Sequence, residues 1–133
     1  MSVVVVGFIE TPEGEAALRR GIEEARRRNG RLVVVHSMRG GTHEPPDVQY
    51  AYRQSMEAVT ERLHDEGLQY EAFELVRGND PVADVLDIAE KRGAELIVIG
   101  HRRRSRVGKL VLGSNAQDIL LASDIPVLVV KAD

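Results

Sequence analysis

Two kinds of apolar pattern alternate along this chain. Val3–Val6, Leu32–His36, Leu96–Ile99 and Pro126–Val130 are short runs rich in β-branched residues with almost no polar interruption. That is the pattern of strands buried on both faces, as in a parallel sheet. Between them, apolar residues recur at helical spacing. From about Pro12 to Arg28 the stripe is Ala17, Leu18, Ile22 and Ala25; from about Val48 to Asp65 it is Ala51, Tyr52, Ser55, Met56, Val59 and Leu63; from Pro81 to Arg92 it is Val82, Val85, Leu86 and Ala89. Each stripe predicts an amphipathic helix, and a shorter one is expected from about Ser114 to Ala122. Tyr70–Val76 is a weaker, partly alternating run that suits an edge strand.

Punctuation agrees with the periodicity. Thr11-Pro12-Glu13 offers a capping hydroxyl, a proline preset for the first helical turn and an acid that favours the helix dipole, and Asp80-Pro81 repeats the device. Asn29-Gly30, Gly67 and Gly93 stand where helices must stop. The long irregular connection, Arg39 to Pro46, is the candidate for a mobile flap. Strands alternating with helices predict an open parallel sheet covered on both faces, with a ligand site outside the carboxyl ends of the strands at the switch point.

Composition narrows the possibilities. A chain of 133 residues is read as one domain, residues 1–133. Its 21 acidic and 18 basic residues give a net charge of −3, which argues against a nucleic-acid partner. There is no cysteine, hence no disulfide framework, thiolate chemistry or Cys-ligated metal, which fits a cytoplasmic protein. No apolar run approaches the roughly 20 residues of a membrane span, and Met1-Ser2 lead straight into a strand, so a soluble, unprocessed chain is expected.

The chemistry concentrates between Gly100 and Asn115. A glycine leaves a strand, cations follow at Arg102, Arg103, Arg104, Arg106 and Lys109, and Gly113-Ser114-Asn115 open a helix. Free N–H groups at a helix N-terminus favour an anion, and arginine forks bind phosphate oxygens. The bland alternatives are glycines that only permit the chain path and a solvated charged face. Gly108-Lys109 is followed by Leu110, not by the hydroxyl of a phosphate-binding P-loop. His36 reads as a packed strand residue, no His and carboxylate spacing suits zinc, and no nucleophile–base set can be assigned. Asp84 and Asp87 are expected to point away from the site.

Val3–Val6 with Thr11-Pro12-Glu13 and Ala16-Ala17-Leu18, Leu32–His36, Gly78 and Pro81, Ala94–Gly100, Gly113-Ser114 and Ile125–Val130 together resemble the universal stress proteins over essentially the whole chain. The resemblance implies an adenine nucleotide alpha hydrolase-like, Rossmann-like sheet in the order 3-2-1-4-5. It also implies a homodimer through the C-terminal strand Val127–Val130. Nucleotide-binding members carry Gly, two residues, Gly, nine residues, then Gly with Ser or Thr. Here Gly100, Gly113 and Ser114 match, and Arg103 stands at the middle glycine. The aspartate such members place after the first strand is matched by Ile9, with Glu10 and Thr11 following.

The implied site therefore comprises Ile9, His36, Ser37, Gly100, Arg103, Gly113, Ser114 and Asn115. It would hold ATP or AMP, with magnesium only alongside the nucleotide; His36 and Ser37 would offer backbone to the base. Arg103 either clamps the phosphate or fills its place. The competing function is a nucleotide-free dimer that acts as a scaffold for unidentified protein partners, favoured by Ile9 and Arg103. A weak ATPase is a third option.

Overall fold

The computed structural model describes residues 2–9, 11–37, 46–75, 81–102 and 114–132. Along the chain these form β1 (Val3–Phe8), α1 (Pro12–Arg27), β2 (Arg31–Ser37), α2 (Pro46–Asp65), β3 (Tyr70–Leu75), α3 (Pro81–Lys91), β4 (Leu96–Arg102), α4 (Ser114–Ala122) and β5 (Val127–Ala132). The strands make one parallel sheet in the order β3-β2-β1-β4-β5. This is the expected order, strands two and three included.

Unbroken β-branched runs are explained by helices on both faces. Val4, Val6, Phe8, Leu32, Val34 and Val98 pack on one face against Ala17, Leu18 and Ile22 of α1 and Val59 and Leu63 of α2. Val5, Val33, Val35, Ile97 and Ile99 pack on the other against Val82, Val85 and Ala89 of α3 and Ile119 of α4. Each of these strand residues therefore has a dry face to fill, and alternation with polar residues would leave buried polar groups unpaired.

Several boundaries moved, those of β4 and α2 among them. β4 extends beyond Ile99 to Arg102, because β5 goes on pairing with it: Gly100 lies opposite Val130 and His101 opposite Lys131. Gly100 thus lies inside a strand and not at its exit. α2 starts at Pro46, two residues before the first residue expected, with proline in a first-turn position where its missing N–H costs nothing. The expected flap spans residues 39–46, and its positions 39–45 lie outside the described residues.

Ion pairs fasten the end of the sheet opposite the strands' carboxyl termini. Glu24 of α1 accepts from Arg20 at 3.1 Å, from Arg27 at 3.4 Å and from Arg28, which also reaches Glu95 at 2.8 Å. The Arg28 hydrogen bond foremost, with Arg20 and Arg27, holds the Glu24 carboxyl below its ordinary range against the opposing effect of burial. At the β3 edge, Glu71 takes Arg31 at 3.2 Å and Arg92 at 2.9 Å, and the Arg92 guanidinium lies 5.2 Å from the Phe73 ring centre. Charge on an edge strand discourages pairing with a further chain.

Candidate functional site

The site begins with how the chain leaves β1. Thr11 has extended backbone, φ −148° and ψ 165°, and its Oγ1 accepts the Gly14 N–H at 3.1 Å, capping α1 with Pro12 in the first turn. The Thr11 N–H donates to the Ile9 carbonyl at 2.9 Å and closes the turn. Two glycines make this turn possible. A Cβ on Gly14 would lie 1.7 Å from the Ile9 carbonyl oxygen, and a Cβ on Gly100 would lie 1.9 Å from that of Glu13. The first turn of α1 therefore sits directly on the backbone of Ile9, just past β1, and on that of β4.

Between β1 and β4, where the order of connection reverses, lies a cleft of about 110 Å³. Its floor is Gly7, Val35 and Ile99, three positions on the same face of adjacent strands. Pro81, Val82 and Val85 of α3 form one wall; Asn115, Ala116 and Ile119 of α4 form another; Ile9, Glu13, Gly14 and Gly100 form the rim on the α1 side. The floor is open because Gly7 has no side chain. A Cβ there would meet Ile99 Cγ2 at 3.5 Å and Val85 Cγ2 at 3.9 Å, ordinary contact distances, so a larger residue would occupy the cleft without striking backbone.

Apolar below and polar above, the cleft suits a flat ring carrying a polar extension. Its volume is below the roughly 300–1,000 Å³ of a full ligand pocket, so these walls enclose part of a nucleotide-sized occupant and not all of it. At the mouth α4 begins, and the first N–H groups of a helix have no partner within it and carry partial positive charge. Glu13 supplies the opposite sign: its Oε2 is shielded from solvent and has no hydrogen-bond partner among the described residues.

Of the positions singled out in the sequence, Ile9, Gly100 and Asn115 line the cleft, and Ile9 is 45% exposed, a large apolar side chain held at the rim. Ser114 is the first residue of α4. Ser37 ends β2. Arg103 and Gly113 lie outside the described residues, as does Glu10. His36 is on the other face of the sheet. Its ring is buried, 5.1 Å from that of Phe8 and tilted by 48°, and burial lowers its pKa from 6.5 to about 4.

Val35, one residue earlier, holds the place in the cleft, as strand alternation requires. Asp84 and Asp87 are not on the cleft, and Asp87 pairs with Lys91 at 3.0 Å. The helix that carries them nonetheless contributes Pro81, Val82 and Val85. Sequence reasoning missed Gly7, Val35 and Ile99, although counting alternate residues back from the carboxyl ends of three strands would have found them.

A doubly wound α/β sheet with its cleft at the switch point defines a broad class of ligand-binding domains. Within that class the chain belongs to the universal stress protein family, whose pattern it matches over residues 1–131. It is 40% identical to a universal stress protein of Mycolicibacterium smegmatis over 97% of both chains. Among solved structures, a universal stress protein from Archaeoglobus fulgidus is 36% identical, with a TM-score of 0.80 and 98% of each chain covered. A universal stress protein from the same organism, solved in complex with dAMP, is 31% identical, with a TM-score of 0.73 and 98% of each chain covered.

Proposed function

We propose that this protein binds an adenine nucleotide, ATP or AMP, in the cleft at the carboxyl ends of β1 and β4. The observation that carries the reading is the arrangement of the cleft itself. An apolar slot floored by Gly7, Val35 and Ile99 opens toward the N-terminus of α4 at Ser114-Asn115, so a base and a phosphate would each meet its complement within one site. The dAMP complex of the Archaeoglobus fulgidus relative supports the choice of adenine. Gly113, Ser114 and Asn115 would face the phosphates with Arg103 as a clamp, and magnesium would enter only on those phosphates.

Calorimetry with ATP, ADP and AMP, with and without magnesium, tests the reading. Binding is expected, and it should weaken as salt rises. Arg103→Ala is expected to cost about 1.5–3 kcal/mol of binding, the usual range for hydrogen bonds to charged groups. No heat with any of the three nucleotides would favour the nucleotide-free scaffold.

We also propose that the protein works in the cytoplasm as a homodimer paired through Val127–Val130. β5 forms a sheet edge, these four residues are only half-buried, and Leu121 on the neighbouring α4 is 77% exposed. An apolar edge of this kind invites a second strand. Light scattering at micromolar concentration is expected to give twice the 14.7 kDa chain mass. A single-chain mass would refute the dimer.

A further inference from the structure

Glu13 is the charged residue among the described residues that line the cleft. Glu13 lies in the first turn of α1, at the rim, where its backbone carbonyl is packed against Gly100. Its carboxylate has an oxygen, Oε2, that is shielded from solvent and has no hydrogen-bond partner among the described residues. Arg62 pairs with Glu15 at 3.0 Å, while Arg20, Arg27 and Arg28 are bound to Glu24 at the far end of α1. A carboxylate oxygen without a donor is costly, and a residue that lines a cleft and carries such an oxygen points to an occupant toward which the carboxylate turns to take a donor.

We propose that Glu13 is a specificity-determining residue of this cleft, accepting a hydrogen bond from a neutral donor on the bound nucleotide. The donor is a hydroxyl or an amino group, because an ionised carboxylate only accepts. The same negative charge keeps phosphate away from the α1 side of the cleft and leaves the α4 N-terminus as the place for it. Ile9, the rim residue on the β1 side, has no polar atom in its side chain, so the carboxylate four positions later carries the polar recognition on this rim. The inference rests on the nucleotide reading and adds a residue and a selectivity to it.

The experiment is calorimetric titration of the wild type, Glu13→Gln and Glu13→Ala with AMP, 2′-deoxy-AMP, 3′-deoxy-AMP and IMP. Glu13→Ala is expected to bind AMP about tenfold more weakly, and Glu13→Gln, which keeps an acceptor oxygen, to fall between. For a ligand lacking the donated group, the wild type and the alanine variant should bind alike. That equality with a deoxy ligand puts the donor on the sugar, and with IMP it puts the donor on the base. Thermal unfolding of each variant shows whether it is folded, and Glu13→Gln carries the test if the alanine variant is not.

Equal affinity of all three proteins for AMP would overturn the proposal and leave nucleotide binding intact. So would tighter binding by the alanine variant, or an equal loss with all four ligands. A wild type that binds none of them would overturn both the proposal and the reading on which it rests.

Discussion

Gly14→Ala and Gly100→Ala are expected to lose about 2–3 kcal/mol of stability, and more if the chain cannot shift. For Gly14 two effects compete. Alanine is the better helix former by about 1 kcal/mol and would stabilise an unconstrained first turn. The new Cβ, however, would lie 1.7 Å from the Ile9 carbonyl oxygen and 2.7 Å from its carbon, both backbone atoms held by the turn that Thr11 closes. The overlap wins, because relieving it means moving α1 off the sheet.

At Gly100 a Cβ would be 1.9 Å from the Glu13 carbonyl oxygen, with β4 pinned between β1 and β5. Gly7→Ala is the control, since its Cβ meets nothing closer than 3.5 Å. Urea midpoints should fall for Gly14→Ala and Gly100→Ala and hold or rise for Gly7→Ala. Three equal midpoints would show that α1 does not sit on these backbones.

The second large effect is a loss of stability in mild acid, caused by His36. Its pKa is about 4 in the folded protein, against 6.5 in a solvated chain, because burial beside Phe8 penalises the charged ring. Between those two values the unfolded chain holds a proton that the folded protein does not. Stability therefore rises with pH through this window and falls as pH drops from about 6.5 toward 4.

At about 1.4 kcal/mol per pH unit, the loss is roughly 2 kcal/mol by pH 5 and on the order of 3 kcal/mol by pH 4. Glu24 contributes separately. Its lowered pKa stabilises the fold above the ordinary carboxylate value of 4.5, and that contribution goes only below it. Denaturation at pH 7.5, 6 and 5 should show the slope in wild type and its absence in His36→Leu. A flat wild-type profile, or a slope that survives the substitution, would refute the assignment.

What the sequence disclosed was mostly local or periodic. Val3–Val6 and Leu32–Val35 announced buried parallel strands because nothing polar interrupts them. Thr11, Asn29, Gly67 and Gly93 announced the helix ends, and Asn29, Gly67 and Gly93 do take positive φ, at 51°, 70° and 63°. The strand order and the switch-point location of the cleft followed from alternation and from the family resemblance.

The walls of the cleft were harder to read, because they are contacts between residues far apart in the chain. Val82 and Val85 looked like ordinary core positions, and their place beside Gly7 depends on how α3 lies across the sheet. Gly14 reads in sequence as a poor helix residue, and its purpose appears only once the Ile9 carbonyl is beneath it. His36 was expected to offer its backbone to the base; the two-residue period of a strand turns its side chain to the opposite face and puts the Val35 side chain in the cleft.

Residue-resolved NMR titration with AMP tests the central claim, that the cleft between β1 and β4 is the nucleotide site, with Gly7→Val as its control. The substitution puts a β-branched side chain into the floor, where the Cβ itself has room, so the variant should fold and its cleft should be filled. In the wild type, amide shifts are expected at Gly7, Gly14, Val35, Gly100 and Asn115, with saturation, and in Gly7→Val they should vanish. Shifts gathered instead at Thr60, His64 and Tyr70 in the shallow groove between α2 and β3, or unchanged AMP binding in Gly7→Val, would contradict it.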